Sequence, residues 1–408
     1  MLEYTRTVAA KFYVVFYCVG ALLLLEIVGH LMLPIASRIV NEPISRTSTI
    51  YAEQSQRIAS MFLRMERLET VRDVVDPVLG WRYRSGFSGD GETISMQGVR
   101  GSQHYSSAPT PGRLRVAVFG DSFVYGNEAR DAETWSFVAE QAAPTIEILN
   151  YGVGGYGTDQ AYLRFLAEGE SLKANLVVLG FVAVDLPRNV SVYRRFADPR
   201  EAIAVKPRFQ LDAAGRLVII SSPIERENDW RRVLNNPRLV KRWGAHDQFY
   251  SEVIYGNLLY DWSAFVRLVS FMGVRVERQI LSMNRFFNGI DHYNTGSEAF
   301  KITVALFKAF AERARANGQT PILLMIPLRP ELERSLAGHR TRLDHVISAA
   351  KGYADILDAT NAFPGKVTIH DVAALFAPGG HYSKLGNQII GEWLAGELTR
   401  RYAGQISR

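Results

Sequence analysis

Three short segments of the 408-residue chain combine residue types that could perform chemistry. The first is Gly120-Asp121-Ser122-Phe123, at the end of an apolar run. A serine just past a strand, where a helix begins, lies near free backbone N–H groups and can act as a nucleophile once a base is in reach. Read alone, such a serine is more often just a helix N-cap. The second runs from Asn150 to Gly157, with Gly152, Gly154, Gly155 and Gly157 close together. Such a loop lets the backbone approach a ligand and aim N–H groups at it. No Lys-Ser or Lys-Thr pair follows, which argues against a phosphate cradle and a nucleotide-binding module. The third is Gly379-Gly380-His381-Tyr382, a histidine in a glycine-rich loop just before the last helical stretch. His381 is the candidate general base.

These segments need a frame that brings them together. Arg113–Gly120, Ile146–Asn150, Asn175–Phe181 and Pro321–Ile326 read as short buried strands, and amphipathic helices are expected over Thr134–Ala143, Thr158–Glu168, residues 298–317 and Leu385–Leu398. Strands alternating with helices predict a parallel sheet covered on both faces, with ligands beyond the carboxyl ends of the strands. Residues 187–297 break this rhythm and read as a long insertion. The expected division is 1–36 as tail and transmembrane anchor, 37–112 as a helical stalk and irregular lead-in, and 113–408 as the catalytic domain.

The anchor rests on the apolar run from Phe12 to Ile35, interrupted by Glu26. At about 1.5 Å per residue it spans a hydrocarbon core of about 30 Å, and a carboxylate at that depth must be protonated or paired. A cleaved signal peptide is the alternative, but the run is long and no small-x-small site follows. Arg6 and Lys11 precede it, which places the N-terminus in the cytoplasm and the catalytic domain outside. Lys plus Arg exceed Asp plus Glu by 47 − 41 = 6, but the basic residues are dispersed, so no nucleic-acid partner is expected. The single Cys18 excludes an intrachain disulfide. His370 and Asp371 adjoin without a third ligand at metal-site spacing, so neither metal nor cofactor is assigned.

Together, the Gly-Asp-Ser turn, the Asn-x-Gly-x-Gly-Gly loop and the late histidine resemble the SGNH/GDSL hydrolase superfamily. The upstream DPVLGW, GVRG and VAVFGDSFVYG stretches are similar to a membrane-anchored bacterial subgroup of it. The resemblance covers roughly 76–182 and 298–398. It implies a flavodoxin-like three-layer α/β/α sandwich with a parallel sheet, beside the N-terminal transmembrane helix. It also implies acyl-ester chemistry, commonly on acetyl groups of sugars, lipids or small esters. Carried over by motif, Ser122 is the nucleophile and an oxyanion donor, Gly155 the second donor, and His381 the base. Two positions depart from the pattern. Val184 stands where a third, asparagine donor is expected, leaving Asn189 as candidate replacement. Pro378 and Gly379 stand where the acid is expected, leaving Asp371 or a backbone carbonyl to orient His381.

The resemblance therefore implies a serine-dependent acyl-ester hydrolase or O-acyltransferase of the bacterial inner membrane, single-pass and periplasmic, acting on an acylated glycan or lipid. The alternative is a catalytically silent binding or scaffold protein of an envelope polysaccharide system, motivated by the two departures. The sequence leaves the oligomeric state open.

Overall fold

The structure, a computed structural model, describes residues 2–66, 71–198, 201, 204–286 and 292–405. The end of the expected stalk (67–70) and parts of the insertion (199–200, 202–203 and 287–291) lie outside them.

The chain begins with α1 (Leu2–Val40) and α2 (Thr47–Glu66), then an antiparallel pair, β1 (Asp73–Asp76) and β2 (Gly80–Tyr83). The α/β layers follow: β3 (Leu114–Phe119), α3 (Ser122–Tyr125), α4 (Trp135–Ala142), β4 (Ile146–Asn150), α5 (Thr158–Glu168), β5 (Leu176–Phe181) and α6 (Asp185–Arg188). An insertion contributes the hairpin β6 (Arg208–Leu211) and β7 (Leu217–Ile220), then α7 (Glu227–Asn235), α8 (Glu252–Tyr255), α9 (Leu258–Trp262) and α10 (Ala264–Arg285). The layers resume with α11 (Glu298–Ala316), β8 (Thr320–Met325), α12 (Arg329–Leu336), α13 (Arg342–Ala350), β9 (Asp355–Asp358) and α14 (Lys384–Tyr402).

The five-stranded parallel sheet has the order β4-β3-β5-β8-β9, with Val116 opposite Leu176 and Ile322 opposite Val178 fixing the register. This is the flavodoxin-like order, and its switch point lies where β3 is flanked by β4 and β5. The apolar runs alternate strictly between faces. Ala117, Phe119, Leu149, Val177 and Leu179 join the core under α5 and α11. Val116, Val118, Ile148, Val178 and Leu324 join the core under α4 and α14. Burial on both faces is why these strands read as continuous apolar runs rather than alternating ones.

A third core is built from distant sequence. Tyr51, Ile58 and Phe62 of α2 pack with Tyr193, Phe196, Trp230, Trp243 and Tyr260 of the insertion. The hydroxyl of Tyr193 donates to Gln54 Oε1 of α2 at 2.5 Å. The helix of the expected stalk packs onto the insertion. The expected lead-in is partly core as well, since Leu79, Tyr83, Ile94, Val99 and Tyr105 are buried against the sheet.

Candidate active site

Ser122 is the first residue of α3, at the carboxyl end of β3 beside the switch point. Asp121 caps the helix, accepting from Phe123 N at 2.8 Å. The turn is tight because Val124 lies over it: a Cβ on Gly120 would fall 2.3 Å from Val124 Cγ2. Gly126, at φ +82°, ends the helix in the left-handed conformation that glycine adopts without strain. Ser122 is buried, and its hydroxyl makes a long contact to Asp121 Oδ2 at 3.5 Å.

The glycine loop after β4 is held on several sides. Tyr151 N donates to Val118 O (2.7 Å), Val153 N to Gly120 O (3.0 Å) and Gly154 N to the Tyr83 hydroxyl (2.7 Å). Trp81 Nε1 donates to Gly154 O at 3.1 Å, and Arg194 Nη1 to Gly155 O at 2.7 Å. The peptide is planar, so fixing the Gly154 carbonyl toward Trp81 turns the Gly155 N–H the opposite way. Among the described residues neither Gly155 N nor Ser122 N donates a hydrogen bond. Ser122 and Gly155, whose N–H groups are unpaired, line one cavity of about 550 Å³ together with His381.

His381 is delivered by the loop that enters α14. Tyr382 is buried under it and its hydroxyl donates to Pro327 O. Asn387 Nδ2 holds Tyr382 O at 2.9 Å, while its Oδ1 accepts from Trp135 N at 3.2 Å. The His381 ring packs on Phe123, with centroids 4.9 Å apart. The carboxylate against it is that of Glu128, six residues beyond the serine. Glu128 Oε2 lies 2.9 Å from His381 Nδ1. The same carboxylate accepts from Gly379 N (2.7 Å) and His381 N (3.1 Å). Burial acts to raise the Glu128 carboxyl, but these hydrogen bonds outweigh it and hold the group below the usual carboxylate range. Glu128 reaches this place from a left-handed backbone, φ +65°, which for a residue other than glycine carries strain. Gly379 makes the room: a Cβ there would meet Glu128 Oε2 at 2.6 Å. With Nδ1 engaged, His381 Nε2 is the nitrogen free to exchange a proton. No hydrogen bond joins His381 to Ser122 among the described residues, although both face the cavity; such bonds often tighten only around substrate.

Two sequence candidates lie elsewhere. Asp371 Oδ2 accepts from Thr368 N (2.8 Å) and Thr368 Oγ1 (2.7 Å), capping its own short turn, and its side chain makes no bond to His381. The carboxylate hydrogen-bonded to His381 is Glu128 rather than Asp371. Asn189 is fully buried with both ends of its amide engaged: Oδ1 accepts from Asp159 N (3.1 Å) and Nδ2 donates to Thr303 Oγ1 (2.9 Å). One Nδ2 hydrogen is left over, but Asn189 is not among the residues lining the serine cavity. Val184 packs against the second-face core and is not among the residues lining the serine cavity.

The sequence reading missed Arg188, Asn127 and Glu128. Arg188 Nη1 donates to Asp121 Oδ2 (3.1 Å), Asp185 Oδ1 (3.1 Å) and Tyr156 O (2.9 Å), and the side chain borders the serine cavity. Burial and the neighbouring Asp121 push the Asp185 carboxyl well above the usual range. Asn127, also on the cavity wall, has a buried side-chain oxygen without a partner. The glycine at position 379, where an acid is expected, was a signal that His381 is oriented from elsewhere, but it did not single out Glu128.

No family model and no curated protein matches the chain. Solved structures similar to it include a G-D-S-L family lipolytic protein from Desulfitobacterium hafniense, at 15% identity and TM-score 0.34 over 70% of this chain and 99% of that one. A lipase/acylhydrolase from Enterococcus faecalis gives 13% identity and TM-score 0.33 over 71% of this chain and 96% of that one. An acetyl xylan esterase from Butyrivibrio proteoclasticus gives 10% and 0.31 over 74% of this chain and 68% of that one.

Proposed function

We propose that this chain is a serine-dependent acyl-ester hydrolase or O-acyltransferase working at a membrane surface. One observation carries the reading: a buried serine, a histidine held by a carboxylate and a glycine with an unpaired N–H line one cavity at the sheet's switch point. Ser122 Oγ attacks the acyl carbonyl carbon while its proton passes to His381 Nε2. The oxyanion is held by Ser122 N and Gly155 N, with the Arg188 guanidinium adding positive charge where an asparagine amide is absent. Collapse breaks the ester C–O bond, and His381 returns the proton to the departing alcohol. Water then releases the carboxylic acid, or a hydroxyl acceptor takes the acyl group as a new ester.

Several features favour a hydroxylated or glycan-like alcohol. Trp81, Tyr83 and Trp230 contribute aromatic wall, and the Asn127 oxygen offers an unpaired acceptor for a hydroxyl. Glu128 supplies the acid whose apparent absence motivated the silent-scaffold reading. The helix Lys11–Val40 is long and apolar enough to cross a membrane. Within it, Glu26 accepts hydrogen bonds from Ser263 and Ala264 of the insertion, which favours a retained anchor over a cleaved leader, and the basic residues before it favour an extracytoplasmic domain.

The test is turnover of a series of p-nitrophenyl esters by the full chain in detergent, with Ser122→Ala as partner. Turnover that vanishes in Ser122→Ala without loss of thermal stability is expected. Equal turnover by both proteins removes Ser122 from the mechanism. Absence of turnover on every ester and acyl acceptor tried favours the scaffold.

A further inference from the structure

Glu26 stands within the apolar helix α1, where an unpaired carboxylate is costly. It is paired. Its oxygens accept from Ser263 Oγ (2.6 Å), Ala264 N (2.6 Å) and Phe265 N (3.4 Å). The two N–H groups open α10, so a residue of the anchor caps a helix of the distant insertion. Gly29 meets the same place, since a Cβ there would fall 2.3 Å from Phe265 N. Farther along, Arg275 Nη1 meets Glu42 Oε2 at 3.1 Å, so α10 climbs the C-terminal half of α1. A second cap locks the corner. Asp261 of α9 accepts from Thr47 N (2.6 Å), Thr47 Oγ1 (2.8 Å) and Ser48 N (3.1 Å), at the start of α2.

These contacts set a depth. Counted from Lys11, about 20 residues at about 1.5 Å each cross a hydrocarbon core of about 30 Å and end near Leu31. Glu26 lies about five residues, or about 8 Å, inside that limit. The start of α10 is fixed to Glu26 and shares its depth. Around it, Trp262 is 83% exposed, Leu258 75%, Leu259 60% and Val269 53%. In water such a cluster is a liability. At about 5–10 Å below the headgroup boundary it is where an interfacial segment lies, and tryptophan is favoured there.

The geometry points to a second membrane contact: α9 and the first turns of α10 are seated in lipid beside α1. The inference rests on α1 being a retained membrane anchor. The occupant of the patch is lipid rather than a protein, because the cap from Glu26 holds the patch at the level of the bilayer. The seat also fixes the height of the active site. From the cap at Thr47, α2 runs about 17 Å along its axis to Ile58, which lines the cavity, so the cavity wall lies within about that distance of the seat. A cavity held there suits an ester carried by a membrane component.

The full chain in phosphatidylcholine–phosphatidylglycerol vesicles tests this. A single environment-sensitive nitrobenzoxadiazole label is placed at native Cys18, or at Leu259→Cys, Trp262→Cys or Arg216→Cys in a Cys18→Ser background. Cys18 reports the anchor, and Arg216, 80% exposed on the β6–β7 hairpin, reports a surface away from the seat. Nitroxide lipids should quench the labels at Cys18, Leu259→Cys and Trp262→Cys several-fold more than the label at Arg216→Cys, and aqueous iodide should do the reverse. If Cys18 is lipid-quenched but positions 259 and 262 are iodide-quenched, the seat is refuted and the anchor stands. If those positions are shielded from both quenchers, a protein or a second copy covers them, and the seat is again refuted. If Cys18 itself is reached by iodide and not by lipid, anchor and seat both fail.

Discussion

Replacing Glu128 by glutamine removes a charge and one acceptor while keeping the shape of the side chain. The carboxylate now serves three donors: His381 Nδ1 at 2.9 Å, Gly379 N at 2.7 Å and His381 N at 3.1 Å. A glutamine has one acceptor oxygen, so it cannot hold the loop and fix the imidazole tautomer together. In serine proteases a comparable acid-to-amide change lowers kcat about 10⁴-fold. The Glu128 side chain is 29% exposed, so solvent screens part of its field. We therefore expect a smaller loss, about 10²- to 10³-fold in kcat, or about 2.7–4 kcal/mol at the transition state. KM should change little, because Glu128 does not line the cavity. The carboxyl is held low, so its tether is present above the ordinary value of about 4.3 and is lost only as pH falls through the lower folded value. The assay is kcat and KM for a p-nitrophenyl ester across pH, paired with a rescue. In wild type, Gly379→Asp collides with Glu128, whereas Glu128→Ala opens that space. The double variant Glu128→Ala/Gly379→Asp should recover at least about tenfold of the activity lost in Glu128→Ala. A folded Glu128→Gln with kcat within about threefold of wild type would refute the assignment of Glu128 as the orienting acid.

Arg188→Met should lower kcat about 10²- to 10³-fold with a smaller change in KM, measured on the same ester, if its charge meets the oxyanion. Asp371→Ala should leave kcat/KM unchanged, since its carboxylate caps only its own turn; a large loss would return it to the site. Asn189→Ala should lower thermal stability by about 1–3 kcal/mol by unpairing buried groups, while kcat of the folded fraction persists. Asp185 has a raised carboxyl, so the folded state holds a proton that the unfolded chain releases above about pH 3.9. Stability from this group should fall as pH rises toward the folded value, and Asp185→Asn should flatten that slope in denaturation measured across pH.

The strands of the sheet were legible because each is buried on both faces and short, so β3, β4, β5 and β8 appear within a residue or so of where the apolar runs placed them. β9 was not legible: Asp355-Ile356-Leu357-Asp358 is an edge strand with a carboxylate at each end. The insertion hid its organisation because its core closes on α2, more than a hundred residues earlier, and no local periodicity records that partnership. Ser122, Gly155 and His381, which line one cavity, could be singled out because each follows a strand or precedes a helix. Glu128 could not, because its reach depends on a left-handed turn and on the missing side chain of Gly379. Glu26 was legible as an anomaly that required a partner, but Ser263 and Ala264 as that partner were not.

The central claim is that Ser122 forms a covalent acyl-enzyme. Incubating the full chain in detergent with a p-nitrophenyl phosphonate, then mapping the adduct by peptide mass spectrometry, tests it directly. The account predicts a single phosphonyl adduct on Ser122, absent in Ser122→Ala and formed far more slowly in His381→Ala. An adduct on another residue, or none while ester turnover proceeds, would contradict it.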